Sequence, residues 1–389
     1  MICPQKPEEC CGCAACVNAC PRKCISMAAD DEGFLYPSVD ESSCINCGMC
    51  ERVCPFLNNG SVSEDPLAFA VRSLNSQVRL HSSSGGVFYH LAEFVLNQHG
   101  VVIGVAMDED CLNARHILVE DPADLYKLRG SKYLQAEPNT LYCDIRVLLE
   151  NGRFVLFSGT PCQINAMKLF LNKEYSNLYC IDMICHGVPS GLLWRKYLQY
   201  ISQKIGNVVQ VSFRHKRNGW RDYEISLRGE SRKEYHGSKL SDPYLQLFLK
   251  NYSLRPSCYA CKSKLSKASD LTLADFWSIH KVLPGFDDGY GTSLVLVRTE
   301  IGMRLFSDIA GSVKSQQVDY DSAIQGNYVE HESVKRPQER DRLFHDLSIY
   351  SFRKICKKYV KIDYNSYLKK RIIIILRSIR KKLNNQDNI

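Results

Sequence analysis

Apolar and polar positions along this chain fall into two kinds of run. Val87–Gln98 carries apolar residues at helical spacing and stops near Gly100, so it predicts a helix. Val101–Met107 follows as a β-branched run of strand length. Leu67–Arg72, Ile117–Val119, Phe154–Phe157 and Ile181–Ile184 read as further strands. Asp121-Pro122 marks a short helix start, because Asp accepts hydrogen bonds at an N-cap and Pro, lacking an N–H, suits the first turn. Leu141–Leu149 predicts another helix, and helix, strand and helix follow to about residue 205. Strands alternating with helices predict an α/β or α+β body with open sheets. Ahead of it, Ile25–Met27 and Phe34–Tyr36 flank a polar, glycine-containing turn and read as a hairpin. The polar stretch 57–66 reads as a linker.

Composition changes this picture in one respect. With 389 residues, 45% hydrophobic and 24% charged, the chain is ordinary globular material, long enough for several domains. Its 19 cysteines are not ordinary, and most of them lie between Cys3 and Cys54. The opening MICPQKPEEC lacks the basic, apolar and small-residue order of a secretion signal. A cytoplasmic chain is therefore expected, in which clustered thiols bind metal rather than pair as disulfides. The net charge is +8, with many of the positive residues gathered in Lys354–Lys382. The longest apolar run there, Ile372–Leu376, is far short of the ~20 residues that cross a bilayer. No feature points to a nucleic-acid partner.

The cysteine spacing is specific. Cys10-x2-Cys13-x2-Cys16-x3-Cys20-Pro21 recurs 34 residues later as Cys44-x2-Cys47-x2-Cys50-x3-Cys54-Pro55. This is the spacing of a bacterial ferredoxin with two 4Fe–4S clusters, in which the fourth Cys of each run ligates the other cluster. Cys10, Cys13, Cys16 and Cys54 are thus expected to hold one cubane, and Cys44, Cys47, Cys50 and Cys20 the second. The short loops let backbone N–H groups point at sulfur, and the fourth Cys of each run is expected to start a helix. Zinc sites use paired CxxC units, not this triple spacing. Cys3, Cys11 and Cys24 fall outside the pattern and read as small buried hydrophobes or spare thiols.

Two strand–helix junctions carry further chemistry. His81-Ser82-Ser83-Ser84-Gly85-Gly86 precedes a helix, where small residues and free N–H groups suit a phosphate or a flavin edge; a plain Ser cap is the alternative. Phe157-Ser158-Gly159-Thr160-Pro161-Cys162-Gln163 runs from a strand into a helix whose start favours the Cys162 thiolate. Cys162 reads as a nucleophile, an inert thiol or a cluster ligand. The third reading gains from Cys185-His186-Gly187, at the end of the next strand, and from Cys258-x2-Cys261. Together these supply the four thiolates of a third 4Fe–4S cluster, with zinc on the same four as competitor. No GxGxxG stands at a strand–helix junction, so no Rossmann site is predicted.

These residues, with Gly130-Ser131-Lys132-Tyr133 and Asp275-Phe276-Trp277, resemble the coenzyme F420 hydrogenase/dehydrogenase beta subunit family from the ferredoxin repeat to about residue 300. After the ferredoxin domain of residues 1–57, the resemblance implies 67–150 and 151–330 as the family's N- and C-terminal-like halves; 331–389 lies outside it and reads as a basic helical tail. It implies an α/β flavin-binding body holding FAD, with Ser83, Ser84, Gly85 and Gly86 against it, Lys132 near flavin or phosphate, and Gly159, Thr160 and Pro161 near the isoalloxazine. An oxidoreductase follows, moving electrons between clusters, FAD and a small-molecule two-electron substrate such as the deazaflavin, with a ferredoxin or other redox protein as partner. An electron carrier feeding a separate enzyme is the rival.

The basic stretch Phe213-Arg214-His215-Lys216-Arg217 with Gly219-Trp220-Arg221 is a candidate for holding an acidic tail or a phosphate, or else is a solvated strand end. His81, His186 and His215 are possible proton donors. Tyr364–Leu383 reads as a basic amphipathic helix for a membrane surface, a partner or its own domain.

Overall fold

A computed structural model describes residues 1–58, 60, 65–137 and 140–361. Helices α1 (Ala15–Ala19) and α2 (Met49–Arg52) and the antiparallel hairpin β1 (Ile25–Ala29) and β2 (Leu35–Val39) make up the ferredoxin-like unit. Each helix contains the third Cys of its run and ends before the fourth. The expectation that the fourth Cys starts a helix is therefore corrected: Cys20 caps the end of α1, and the prolines behind Cys20 and Cys54 do not continue a helix. Each helix instead starts after a left-handed residue, Ala14 (φ 56°) or Gly48 (φ 72°), which turns the CxxC loop. Gly48 does this freely, and Ala14 at a cost of about 1 kcal/mol.

The body contains strands β3 (Leu67–Ser73), β4 (Val101–Met107), β5 (Ala114–Val119), β6 (Ala136–Glu137), β7 (Val155–Ser158) and β8 (Leu178–Met183). It continues with β9 (Val208–His215), β10 (Glu224–Gly229), β11 (Glu234–Ser238), β12 (Leu271–Asp275), β13 (Ser293–Val297) and β14 (Val313–Val318). Nine of them form one mixed sheet in the order β14-β3-β13-β12-β8-β7-β4-β5-β6. Neighbours among β12, β8, β7 and β4 are parallel. Strands β9, β10 and β11 form a separate antiparallel meander. Helices α3 (Ser76–Leu80), α4 (Val87–Asn97), α5 (Leu141–Glu150), α6 (Pro161–Leu171), α7 (Gly191–Ile205) and α8 (Pro243–Leu249) intervene.

The central strands β4 and β7 are apolar almost throughout because both faces are covered. Val102 and Leu156 face α4 through Leu91 and Val95. Val101, Ile103, Val155 and Phe157 face α5 and α6. The start of β8 lies before the predicted Ile181, since pairing with β7 begins at Leu178 opposite Val155. The Asp121-Pro122 start yields a 3-10 helix, with Asp121 Oδ1 accepting from Ala123 N at 2.8 Å.

The ferredoxin unit is packed into the body. Cys13, Ala15, Ala19 and Val53 join the apolar layer of α5 and α6. Arg255, fully buried, donates from Nε to Cys10 O at 2.7 Å, from Nη2 to Leu35 O at 2.9 Å and from Nη1 to Gln135 Oε1 at 3.1 Å. Gly12 (φ 69°) permits this approach, because a Cβ there would stand 2.5 Å from Gln135 Nε2. Helices Arg340–Ile349 and Phe352–Tyr359 pack through Leu343, Leu347 and Ile355 on the cluster containing α7. The basic helix expected over Tyr364–Leu383 lies outside the described residues. Among the described residues, no helix is long and apolar enough to cross a membrane.

Candidate functional site

The ferredoxin cysteines gather as two quartets. Cys20, Cys44, Cys47 and Cys50 line one small pocket. In the other quartet, Cys10 and Cys16 both feel the charge of Cys54, and Cys13 that of Cys10 and Cys16. Burial pushes the Cys10, Cys13 and Cys16 thiols up, that of Cys16 to about 12. Backbone N–H groups approach sulfur at 3.4 Å (Gly12 to Cys10), 3.5 Å (Asn46 to Cys44) and 3.4 Å (Ile2 to Cys50). Among the described residues no disulfide is formed.

A cavity of about 450 Å³ opens beyond the carboxyl ends of β7, β8 and β12, within the size range of cofactor sites. Cys162, Cys185, Cys258 and Cys261 all line it. Cys162 is the second residue of α6, and Cys185 lies just past β8. The CxxC segment reaches them because Gly187 (φ 129°) has no side chain: a Cβ there would lie 3.2 Å from Cys258 Cβ. Val188 N approaches Cys258 Sγ at 3.5 Å. The thiols feel one another's charge, and burial raises all four. At Cys162 the neighbouring Cys11 and desolvation hold the thiol well above its ordinary range, against the pull of the helix start.

Sequence reasoning missed Cys11. It lines the cavity that Cys162 also lines, and neighbouring Cys13 together with burial holds its thiol well above the ordinary range. It stands where the two quartets meet, a place no spacing rule reveals. Cys24 likewise lies 3.3 Å from Cys20 Sγ in the second pocket, whereas Cys3 is exposed.

The polar wall sorts the remaining candidates. Ser83, Ser84, Gly86, Lys132, Gly159, Thr160 and Pro161 line the cavity. Ser83 Oγ lies 2.9 Å from Ser131 Oγ, and Ser84 Oγ donates to Thr292 O at 2.7 Å. Gly85 is taken up by packing instead: a Cβ would meet Val71 O at 2.4 Å, and its N–H donates to Ser293 Oγ at 3.0 Å. Thr160 and Gln163 cap α6 reciprocally. Lys132 Nζ donates to Lys127 O at 3.0 Å and Arg129 O at 2.9 Å, and desolvation lowers its pKa to about 7.

Arg217 of the basic stretch is exposed, whereas Arg214, Lys216 and Arg221 are engaged by the protein itself. Arg214 grips Asp275 through both nitrogens at 2.6 and 2.8 Å, and Trp220 Nε1 donates to the same carboxylate at 2.7 Å. Lys216 Nζ donates to the carbonyls of Ser84, Arg79 and Tyr290 at 2.7, 2.8 and 3.1 Å. Arg221 pairs with Asp287 at 2.8 Å. Asp275-Phe276-Trp277 thus holds the cavity wall together, with Trp277 stacked on Trp220. His186 lines the cavity with Nε2 2.7 Å from Asn251 Oδ1, and burial lowers its pKa. His81 is exposed and bonded to Gln77 O, and His215 lies on the meander.

Three family models match. Two describe the beta chain of coenzyme F420 hydrogenase/dehydrogenase, its amino-terminal part over residues 68–141 and its carboxy-terminal part over 152–321. The third, "4Fe-4S dicluster domain", covers 9–58. The chain is 22% identical over 299 residues to a coenzyme F420-dependent sulfite reductase of Methanocaldococcus jannaschii, covering 75% of this chain and 44% of that protein. It is 26% identical over 197 residues to an uncharacterized protein of the same organism, covering 43% of this chain and 54% of that one. The chain therefore spans about half the length of these curated relatives. A chain of the F420-reducing [NiFe] hydrogenase complex from Methanosarcina barkeri aligns with a TM-score of 0.45 and 16% identity, over 78% of this chain and 98% of that one. On the family models that span its cysteine repeat and both halves of its body, the chain belongs to the coenzyme F420 hydrogenase/dehydrogenase beta subunit family and carries a 4Fe–4S dicluster domain at its amino-terminal side.

Proposed function

We propose that the chain is an iron–sulfur flavoprotein oxidoreductase passing electrons between 4Fe–4S clusters and FAD, and so to or from a two-electron substrate such as coenzyme F420. The observation that carries this reading is one cofactor-sized cavity lined by Cys162, Cys185, Cys258 and Cys261 of the body and by Cys11 of the ferredoxin unit. Cys10, Cys13, Cys16 and Cys54 would hold the inner ferredoxin cluster, Cys20, Cys44, Cys47 and Cys50 the outer one, and the cavity quartet a third. Four convergent thiols suit a cubane. The flavin supplies conversion between two-electron and one-electron chemistry. Ser83, Ser84, Gly86, Lys132 and Gly159 to Pro161 would orient it, and the Arg214–Asp275 pair keeps the wall rigid behind it. A ferredoxin or another redox protein is the proposed partner. Purification without oxygen is expected to yield about twelve irons and one FAD per chain. A chain with iron but unable to take up FAD would leave only the carrier reading.

The low pKa of Lys132 gives a second test of the flavin site. Desolvation favours its neutral form above about 7. A neighbouring phosphate favours the charged form, so binding at pH 8 should take up a proton, and affinity should fall as pH rises through 7. Calorimetric titration with FAD at pH 8, in buffers of different ionisation enthalpy, is expected to show proton uptake that Lys132→Met abolishes. Equal uptake in the two proteins would remove Lys132 from the site.

A further inference from the structure

The β9–β11 meander carries a cluster that the redox reading leaves unused. Glu224 opens β10 and pairs across the ladder with His215 at the end of β9. His236 on β11 lies opposite Ser226, two residues along β10, and so shares Glu224's face. Glu224 is 5% exposed. Its Oε1 stands 3.3 Å from His236 Nδ1 and 3.6 Å from His215 Nδ1. None of these three buried atoms has a hydrogen-bond partner among the described residues. The 3.3 Å contact is within hydrogen-bond range yet forms no such bond, and the three ligand atoms all lie within 4.8 Å of one another. Buried, unpaired polar atoms are costly unless something binds them.

We infer that His215, Glu224 and His236 form a binding site for a zinc-class divalent cation, independent of the clusters and the flavin. Two nitrogens and a carboxylate oxygen suit zinc, and ligands about 2.0–2.1 Å from a tetrahedral ion stand roughly 3.3 Å apart. The ligands are also oriented from behind, as metal ligands are. Glu234 Oε2 lies 3.1 Å from His236 Nε2, which places the ring proton there and leaves Nδ1 as the lone-pair donor. Asn218 Nδ2 donates to Glu224 Oε2 at 3.1 Å, leaving Oε1 for the ion. His215, with its side chain 43% exposed, marks the open side where water completes the shell. The ion ties three strands together. It steadies β9, whose neighbouring Arg214 reaches Asp275 at the cavity.

The test uses the anaerobically purified chain with its iron in place, treated with EDTA and titrated with cobalt(II) as a spectroscopic probe and with zinc. Expected are one ion per chain, weak visible bands of nitrogen and oxygen ligation, and a zinc-dependent rise in melting temperature. His236→Ala and Glu224→Gln should abolish all three, and Glu234→Gln should weaken binding about tenfold. His215→Gln, at the most exposed ligand, repeats the test where the fold is least at risk, and unchanged iron content certifies each variant. No uptake, or intense thiolate charge-transfer bands placing cobalt on cysteines, would overturn the assignment. So would a melting temperature blind to zinc that falls as the imidazoles lose protons, which would make the cluster an ion pair.

Discussion

Replacing any one of Cys162, Cys185, Cys258 and Cys261 with Ala is expected to remove about four of about twelve irons and leave the ferredoxin clusters in place. A cubane needs four protein thiolates, and loss of one leaves an iron facing the cavity. The change to the chain itself is small, a single sulfur at the cavity wall. Iron and sulfide counts with low-temperature EPR of the reduced protein read the result, as the disappearance of one cluster signal. Cys180, fully buried in the body and outside the cavity lining, is the control, and Cys180→Ala should keep all the iron. Retention of the full complement in the four cavity variants would end the third-cluster assignment.

Arg255→Ala should produce the largest mechanical effect. It leaves the carbonyls of Cys10 and Leu35 without their charged donor, at about 1.5–3 kcal/mol each. It also removes the guanidinium stacked 4.3 Å from the Tyr36 ring. The ferredoxin unit should loosen from the cavity, seen as a lower unfolding temperature and slower cluster-to-cluster electron transfer after rapid reduction. Arg255→Lys should recover little, since an ammonium cannot span the same three acceptors as the fork does. A variant that melts and transfers electrons like the parent would show that the apolar layer alone holds the unit.

Much of this was legible because local chemistry dictates it. The repeat of Cys10 to Pro21 at Cys44 to Pro55 needs no tertiary information, and β-branched runs such as Val101–Met107 announce strands covered on both faces. Cys162 and Cys185 could be placed together because adjacent strands end on the same side. What stayed hidden depends on contacts remote in sequence. The doubled cysteine at Cys10-Cys11 gave no hint of Cys162, and Arg214 could not be matched to Asp275 by any spacing rule. The histidines and Glu224 of the meander lie on three strands whose register only the fold reveals. Gly85 looked like a ligand cradle by composition, but the backbone of β3 and β13 occupies the space beside it.

The apolar layer that Cys13, Ala15 and Ala19 share with α5 and α6 has an effect on the fate of the molecule. Loss of a cubane held by Cys13 would also disturb the larger half, because the same loop lines its interior. A copy that loses this metal should open to proteases.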